Sequence, residues 1–238
     1  MIYKTGCLVC GRELHYFGYS KTSKCFYCGD AHETNAACSG GHYVCDTCHS
    51  ASANDLIERY CIHASSTDPI NQAVQLMKNR SIKMHGPEHH FLVPAVLLSA
   101  CYNLKGLPEE ETKKAILEAR KRAEIVKGGF CGLHGTCGAA VGTGIFVSIL
   151  SGAHPLAKTE WRLSNRMTAE SLKTISEFDG PRCCKRDSFL AILEAVDFLK
   201  KEFDIEMVVN QQPVCEFEIL NKECHKEHCP FFKGEMVH

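Results

Sequence analysis

The sequence has no excess of charge of either sign: its 238 residues carry 27 Lys and Arg against 28 Asp and Glu. That balance excludes a chain that holds a polyanion by bulk charge. It also lacks a long apolar run. The stretch 145–150 with its neighbours falls far short of the ~20 residues that span a bilayer, and the opening MIYKTGCLVCGRELHY has no apolar core of a secretory signal. These absences predict a soluble, cytoplasmic protein with no membrane partner.

What the chain does have is 16 Cys and 13 His in 26.5 kDa, a length that suits one large or two small domains. In a reducing compartment, so many thiols point to metal or redox chemistry before structural disulfides. Seven cysteines lie in residues 7–48, four at 131, 137, 183 and 184, and three at 215, 224 and 229. Cys61 and Cys101 stand alone on helix-like segments and read as small buried hydrophobes.

The first group comprises Cys7-x2-Cys10, Cys25-x2-Cys28, Cys38 with His42, and Cys45-x2-Cys48. A C-x2-C turn puts two thiolates on one tetrahedral ion at ~2.3 Å, and a second pair completes its shell. The 16 residues between Cys28 and Cys45 fit a zinc ribbon or treble clef with Cys25, Cys28, Cys45 and Cys48 on one zinc. Cys7, Cys10, Cys38 and His42 then form an interleaved second site, with His32 and His49 as competing nitrogen ligands. Fifty residues with so few large apolar side chains need metal to fold. Closed four-ligand sites are structural first, as a folding staple or a protein-docking knob. The basic residues Arg12, Lys21 and Lys24 are too sparse to favour nucleic acid.

After residue 50 the apolar period becomes helical. Helices are expected over 52–64, 69–80, 88–104, 109–127, 138–151, 168–178 and 187–203, with strand-like alternation only near 205–209. The fold class is mainly α: a zinc-binding module (1–50), a helical bundle domain (51–204) and a metal-binding C-terminal tail (205–238). The small-residue segment 138–150 is expected at the centre of the bundle, with 109–127 outside.

Three polar motifs precede or open predicted helices: Met84-His85-Gly-Pro-Glu88-His89-His90, then Gly128-Gly-Phe-Cys131-Gly-Leu-His134-Gly-Thr-Cys137-Gly, then Gly180-Pro-Arg182-Cys183-Cys184-Lys-Arg-Asp187. Helix N-termini favour thiolates and anions, and their convergence would make one pocket. Cys131, Cys137, Cys183 and Cys184 could give an iron–sulfur cluster three or four thiolates. With three, one iron stays open to a substrate sulfur, a small acid or water. His85, Glu88, His89, His90 and His134 would supply acid–base groups, and Arg182, Lys185 and Arg186 would hold an anionic substrate or neutralise a cluster's charge, a solvated basic turn being the alternative. A His/Cys zinc site, a metal-free dithiol and a structural role are the alternatives. A phosphate loop is a weaker one, because the Gly-rich motif lacks the P-loop lysine and follows no clear strand. Adjacent Cys183 and Cys184 cannot readily point one way on a helix, so one of the two could be a persulfide carrier or stand behind the ligands. In the tail, Cys215, Cys224, Cys229 and a nitrogen from His228 or His225 could hold zinc or a cluster. A ligand from elsewhere in the chain would staple the tail to the body.

The run of C-x2-C pairs, G-H-Y-V-C-D-x-C-H, H-G-P-E-H-H-F-L-V-P, G-G-F-C-G-x-H-G-x-C-G-A-A and G-P-R-C-C-K-R over residues 7–203 resembles a cysteine-rich family of unknown function found in methanogens and other anaerobes. The resemblance implies an anaerobic setting that suits an oxygen-labile cluster, and it implies no particular reaction. A looser similarity, in a different module order and without the Gly-rich Cys motif, is to small subunit-like proteins associated with formylmethanofuran dehydrogenase. The expected function is a metalloenzyme of anaerobic metabolism that handles sulfur or one-carbon groups at an open metal site. Its alternative is a metal or cluster carrier, or an adaptor that holds a partner protein through the zinc module. An enzyme should enclose the middle cysteines in a small-molecule pocket, whereas a carrier should expose them.

Overall fold

The computed structural model describes residues 6–234. Two strands, β1 (Leu14–Lys24) and β2 (Ala31–Cys38), form an antiparallel hairpin with Leu14 opposite Cys38, Lys24 opposite Ala31, and an irregularity between Tyr16 and Lys21. The segment 205–209 is coil, so the expected strand there is absent and the strands lie in the cysteine-rich module instead. The hairpin escapes a reading by alternation because most of its residues are exposed on both faces.

Helices follow: α1 (Asp46–His49), α2 (Ala53–His63), α3 (Pro69–Lys78), α4 (Glu88–Leu104), α5 (Glu109–Ala123), α6 (Phe130–Leu133), α7 (Gly138–Ser151), α8 (Thr159–Ser176) and α9 (Cys184–Phe203). The caps explain the boundaries. Ser52 Oγ accepts from Asp55 N at 3.3 Å to start α2, and Asp68 Oδ1 accepts from Ile70 N and Asn71 N to start α3, with Pro69 in the first turn. Helix α8 begins nine residues before its expected start, because its first turns are mostly exposed and show little apolar period. Helix α9 begins at Cys184 rather than at Asp187.

Every residue of α4 from Phe91 to Cys101 is buried, so this helix runs through the core. Helix α7 packs against it, and also against α5, α8 and α9. The small residues of α7 make that approach possible: a Cβ on Gly142 would stand 2.8 Å from Pro94 Cδ and 3.0 Å from the His90 carbonyl oxygen. Helix α5 is peripheral, burying only Thr112, Ala115, Ile116, Ala119 and Ala123. Cys61 and Cys101 lie wholly inside the core.

Beyond α9, the chain turns at Asp204, in the left-handed conformation, and returns across the bundle as coil with two short 3-10 turns, Glu218–Leu220 and Lys226–His228. Phe217 and Phe231 anchor it, the latter edge-on to Phe189 with ring centres 5.4 Å apart. Asn210 donates through both its backbone and side-chain nitrogens to Asp68 Oδ2. No helix of the described residues is long and apolar enough to cross a membrane.

Candidate metal centres

In the N-terminal module the ligand atoms of Cys7, Cys10, Cys38 and His42 lie within 4.8 Å of one another, and so do those of Cys25, Cys28, Cys45 and Cys48. Two knuckles build them. Cys7 N bonds to Arg12 O and Gly11 N to Cys7 O, while Cys25 N bonds to Asp30 O and Gly29 N to Cys25 O. The glycine after each second cysteine sits at φ +72°, where a side chain would be strained. The Cys10–Cys38 and Cys28–Cys45 sulfur pairs are 3.8 and 3.9 Å apart. A tetrahedron with ~2.3 Å Zn–S bonds has edges of about 3.8 Å, so both donor sets fit zinc. His42 Nδ1 lies 3.3 and 3.4 Å from Cys10 and Cys38 Sγ. Burial pushes Cys7 up to about 11 and Cys28 to about 12, while hydrogen bonds lower Cys25 and Cys38 against their burial, so a cation is what would hold all the sulfurs of a set ionised together. Cys28, Asp30 and His32 form a third, overlapping group. The all-cysteine set is the better site because its four members are all buried, whereas Asp30 is exposed. His49 is exposed and joins neither set.

In the bundle, the starts of α4, α7 and α9 meet, as their motifs suggested. The His90 ring lies against Gly138, where a Cβ would collide with it, and the Gly86 N–H faces Cys184 Sγ. The four middle cysteines nevertheless divide. Cys131 and Cys137 line an open cleft with Lys173, Phe178, Arg182, Arg186 and Asp187. Cys184 stands within electrostatic reach of Cys131 and Cys137. Cys183 turns away into a second cavity, with Cys215, Cys224 and Cys229. The reason is geometric: consecutive helical residues project about 100° apart, and Cys183 is the N-cap where Cys184 is the first helical residue. Burial first, then Asp187, pushes Cys137 up to about 12, and burial pushes Cys184 up to about 11. Backbone N–H groups of Ala139 and Ala140 oppose that shift at Cys137.

The expected acid–base groups scatter. His85 Nε2 lies 3.2 Å from Asn221 Oδ1 and 3.4 Å from Glu223, so it belongs to the tail contact rather than the cleft. Glu88 accepts from Lys83 N at 2.8 Å and pins its own loop. His89 is buried, held at Nδ1 by the Gly86 carbonyl, and burial followed by the nearby Lys185 charge lowers it to about 3. His90 Nδ1 donates to Val126 O at 2.9 Å. His134 is exposed and tilted over Phe130. In the tail, His228 is exposed on its 3-10 turn and outside the cavity; the histidine at the cavity is His225, bonded to the Pro181 carbonyl at 3.1 Å.

A family model described as a family of unknown function, DUF5714, matches residues 57–232, which is 176 of the 238 residues. The chain belongs to this family. No curated protein and no solved structure matches it. The DUF5714 match takes in all three polar motifs and the tail cysteines, whereas the paired four-ligand sites of residues 7–48 lie outside it. Within the DUF5714 region the structure adds two residues to the site that sequence reasoning passed over, Asp187 and Asn221, and it buries Lys185, which the sequence offered as a holder of an anionic substrate or a neutraliser of a cluster's charge. Asp187 is buried, paired with buried Arg186 at 2.9 Å, and had been read only as a helix start. Lys185 is wholly buried, and Asn221 donates to Cys183 Sγ at 3.8 Å.

Proposed function

We propose that the cleft at Cys131, Cys137 and Cys184 is the working site of a metalloenzyme, with an iron–sulfur centre on three thiolates and a small anionic substrate in the cleft. The observation that carries this reading is the donor set itself: half-buried Cys131 on α6 and Cys137 at the cap of α7 line the cleft, Cys184 at the start of α9 is within electrostatic reach of both, and the adjacent Cys183 turns into the other cavity. Their sulfurs are not all within 4.8 Å of one another, wider than one tetrahedral ion asks. Such a centre would supply an open iron, which takes a sulfur or a small carboxylate as ligand.

The chain's own groups provide the rest. Arg182 and Lys173 would hold the substrate's negative charge at the cleft wall, and Phe178 and Leu172 give an apolar floor. Asp187, raised by burial despite its Arg186 partner, would accept or return a proton. His90, on α4 with its ring against Gly138, and His134, which ends the α6 turn that carries Cys131, would be the nitrogen bases of the site. The anaerobic setting and the handling of sulfur or one-carbon groups belong to this same reading, as does a cytoplasmic location. A second reading, a carrier that passes its cluster to a partner protein, is favoured by the openness of the cleft and the partial exposure of Cys131 and Cys137.

The test is the iron and acid-labile sulfide content of protein purified without oxygen, compared with Cys131→Ala/Cys137→Ala. Loss of part of the iron and sulfide in that variant, with zinc retained, supports the centre; unchanged iron overturns it. Adding mercaptoacetate separates the two readings. A shifted visible or paramagnetic spectrum that Arg182→Ala weakens supports the enzyme. An unshifted spectrum, with transfer of the cluster to an apo-ferredoxin, supports the carrier.

A further inference from the structure

The tail cavity is a second donor set, and it differs from the cleft in kind. Cys183 from the start of α9 and Cys215, Cys224 and Cys229 from the returning coil line one narrow space walled by Phe189, Phe217 and Phe231, with Arg186 and Glu218 also on its lining. Four cysteines drawn from two distant segments into one small space make a donor set that a cation would ionise together.

Their spacing says what kind of cation. In the N-terminal module four ligand atoms fall within 4.8 Å of one another, as a single ion demands; among the described residues, no three of the cysteine, histidine and carboxylate atoms around this cavity do so. A polynuclear core holds its thiolates on separate irons and so spreads them wider than one ion can. Hydrogen-bond donors are already turned to the sulfurs: Phe217 N to Cys215 and Lys226 N to Cys224, both at 3.4 Å, and Asn221 Nδ2 to Cys183 at 3.8 Å. Amide donors of this kind stabilise the charge on cluster thiolates.

Lys185 is an independent observation. It is 0 % exposed, its ammonium reaches only the Met77 carbonyl at 3.3 Å and the face of Phe217 at 4.4 Å, and among the described residues no carboxylate lies within 4.0 Å of it. A buried ammonium with no carboxylate in contact with it is costly. Its electrostatic neighbours are Cys183 first, then the buried Glu88, then Cys215 and Cys184, so a net-negative centre between Cys183 and Cys215 would add to the one carboxylate near it.

We infer that Cys183, Cys215, Cys224 and Cys229 ligate a second iron–sulfur cluster, closed by four thiolates, with Lys185 as its buried counter-charge. The four-cysteine closure leaves no iron open to a substrate, so this centre stores or relays an electron, or staples the tail, rather than binding a reactant. It does not rest on the reading of the cleft: adjacent Cys183 and Cys184 belong to different centres, and substituting them one at a time separates the two.

The experiment uses the full-length chain, reconstituted without oxygen with ferrous iron and sulfide, and measures iron, sulfide and the paramagnetic spectrum after dithionite reduction. Cys183→Ser and Cys224→Ser should each remove the same spectral component and about four irons per chain, while Cys184→Ser leaves that component in place. Cys224 is half-buried in coil outside the helical core, so its variant stays informative if Cys183→Ser misfolds; far-UV circular dichroism checks both. Lys185→Met should shift the midpoint potential of that component to more negative values, which a merely structural lysine would not do. Iron and sulfide unchanged in both Cys183→Ser and Cys224→Ser would overturn the inference. So would one zinc per chain lost from those variants with no visible band in the parent.

Discussion

Asn79 donates through Nδ2 to the Tyr27 hydroxyl at 3.0 Å, between two buried side chains that belong to different parts of the fold. Tyr27 sits between the metal-site cysteines Cys25 and Cys28, and Asn79 closes α3. The hydrophobic core is therefore continuous from the cysteine knuckles into the bundle.

Zinc removal should be felt on both sides of that contact. Parent protein should bind two zinc ions at residues 7–48, and Cys45→Ser should keep one and melt at lower temperature, as metal analysis and calorimetry would show. Asn79→Ala should leave zinc content unchanged and cost about 1–3 kcal/mol in urea unfolding, because the Tyr27 hydroxyl loses its partner while staying buried. Zinc lost from the Asn79 variant would mean that the contact holds the metal site itself together.

Close packing of α7 predicts a different pattern. Gly142→Ala forces a Cβ onto Pro94 and the His90 carbonyl and should cost about 1–3 kcal/mol. Gly138→Ala collides with the His90 ring beside Cys137, so it should also lower the iron bound in the cleft. Equal effects of the two variants on iron would count against a centre near Cys137.

Acid should weaken the fold through His89. Its native value of about 3 lies below the ordinary 6.5, so between these limits the unfolded chain binds a proton that the native chain does not. Its contribution is intact above about pH 6.5 and is lost as pH falls toward about 3. Urea midpoints measured across the upper part of that window should fall with acidity, and His89→Gln should flatten the slope. An unchanged slope would assign the acid sensitivity to the cysteine sites instead.

Much of this was legible from residues alone, for physical reasons. Apolar residues at helical spacing located α2 to α5 and α7 closely, because each of these buries one face or is buried all round. Ligand grouping in the module was legible because a C-x2-C turn can aim both sulfurs at only one ion. The hairpin was not, because neither of its faces is buried. The partner of the tail cysteines was not either: Cys183 comes from a helix start 32 residues before Cys215, and only the divergence of Cys183 from Cys184 shows which centre each serves.

Asp68 divides its two carboxylate oxygens between a helix start two residues away and the tail at Asn210. The second contact pins the coil midway between the end of α9 at Phe203 and the first tail cysteine at Cys215. Each halving of a free loop saves about 0.6 kcal/mol of closure entropy. The carboxylate thus shortens the search that brings Cys215 to Cys183, and the tail is already partly gathered before any ligand bond forms.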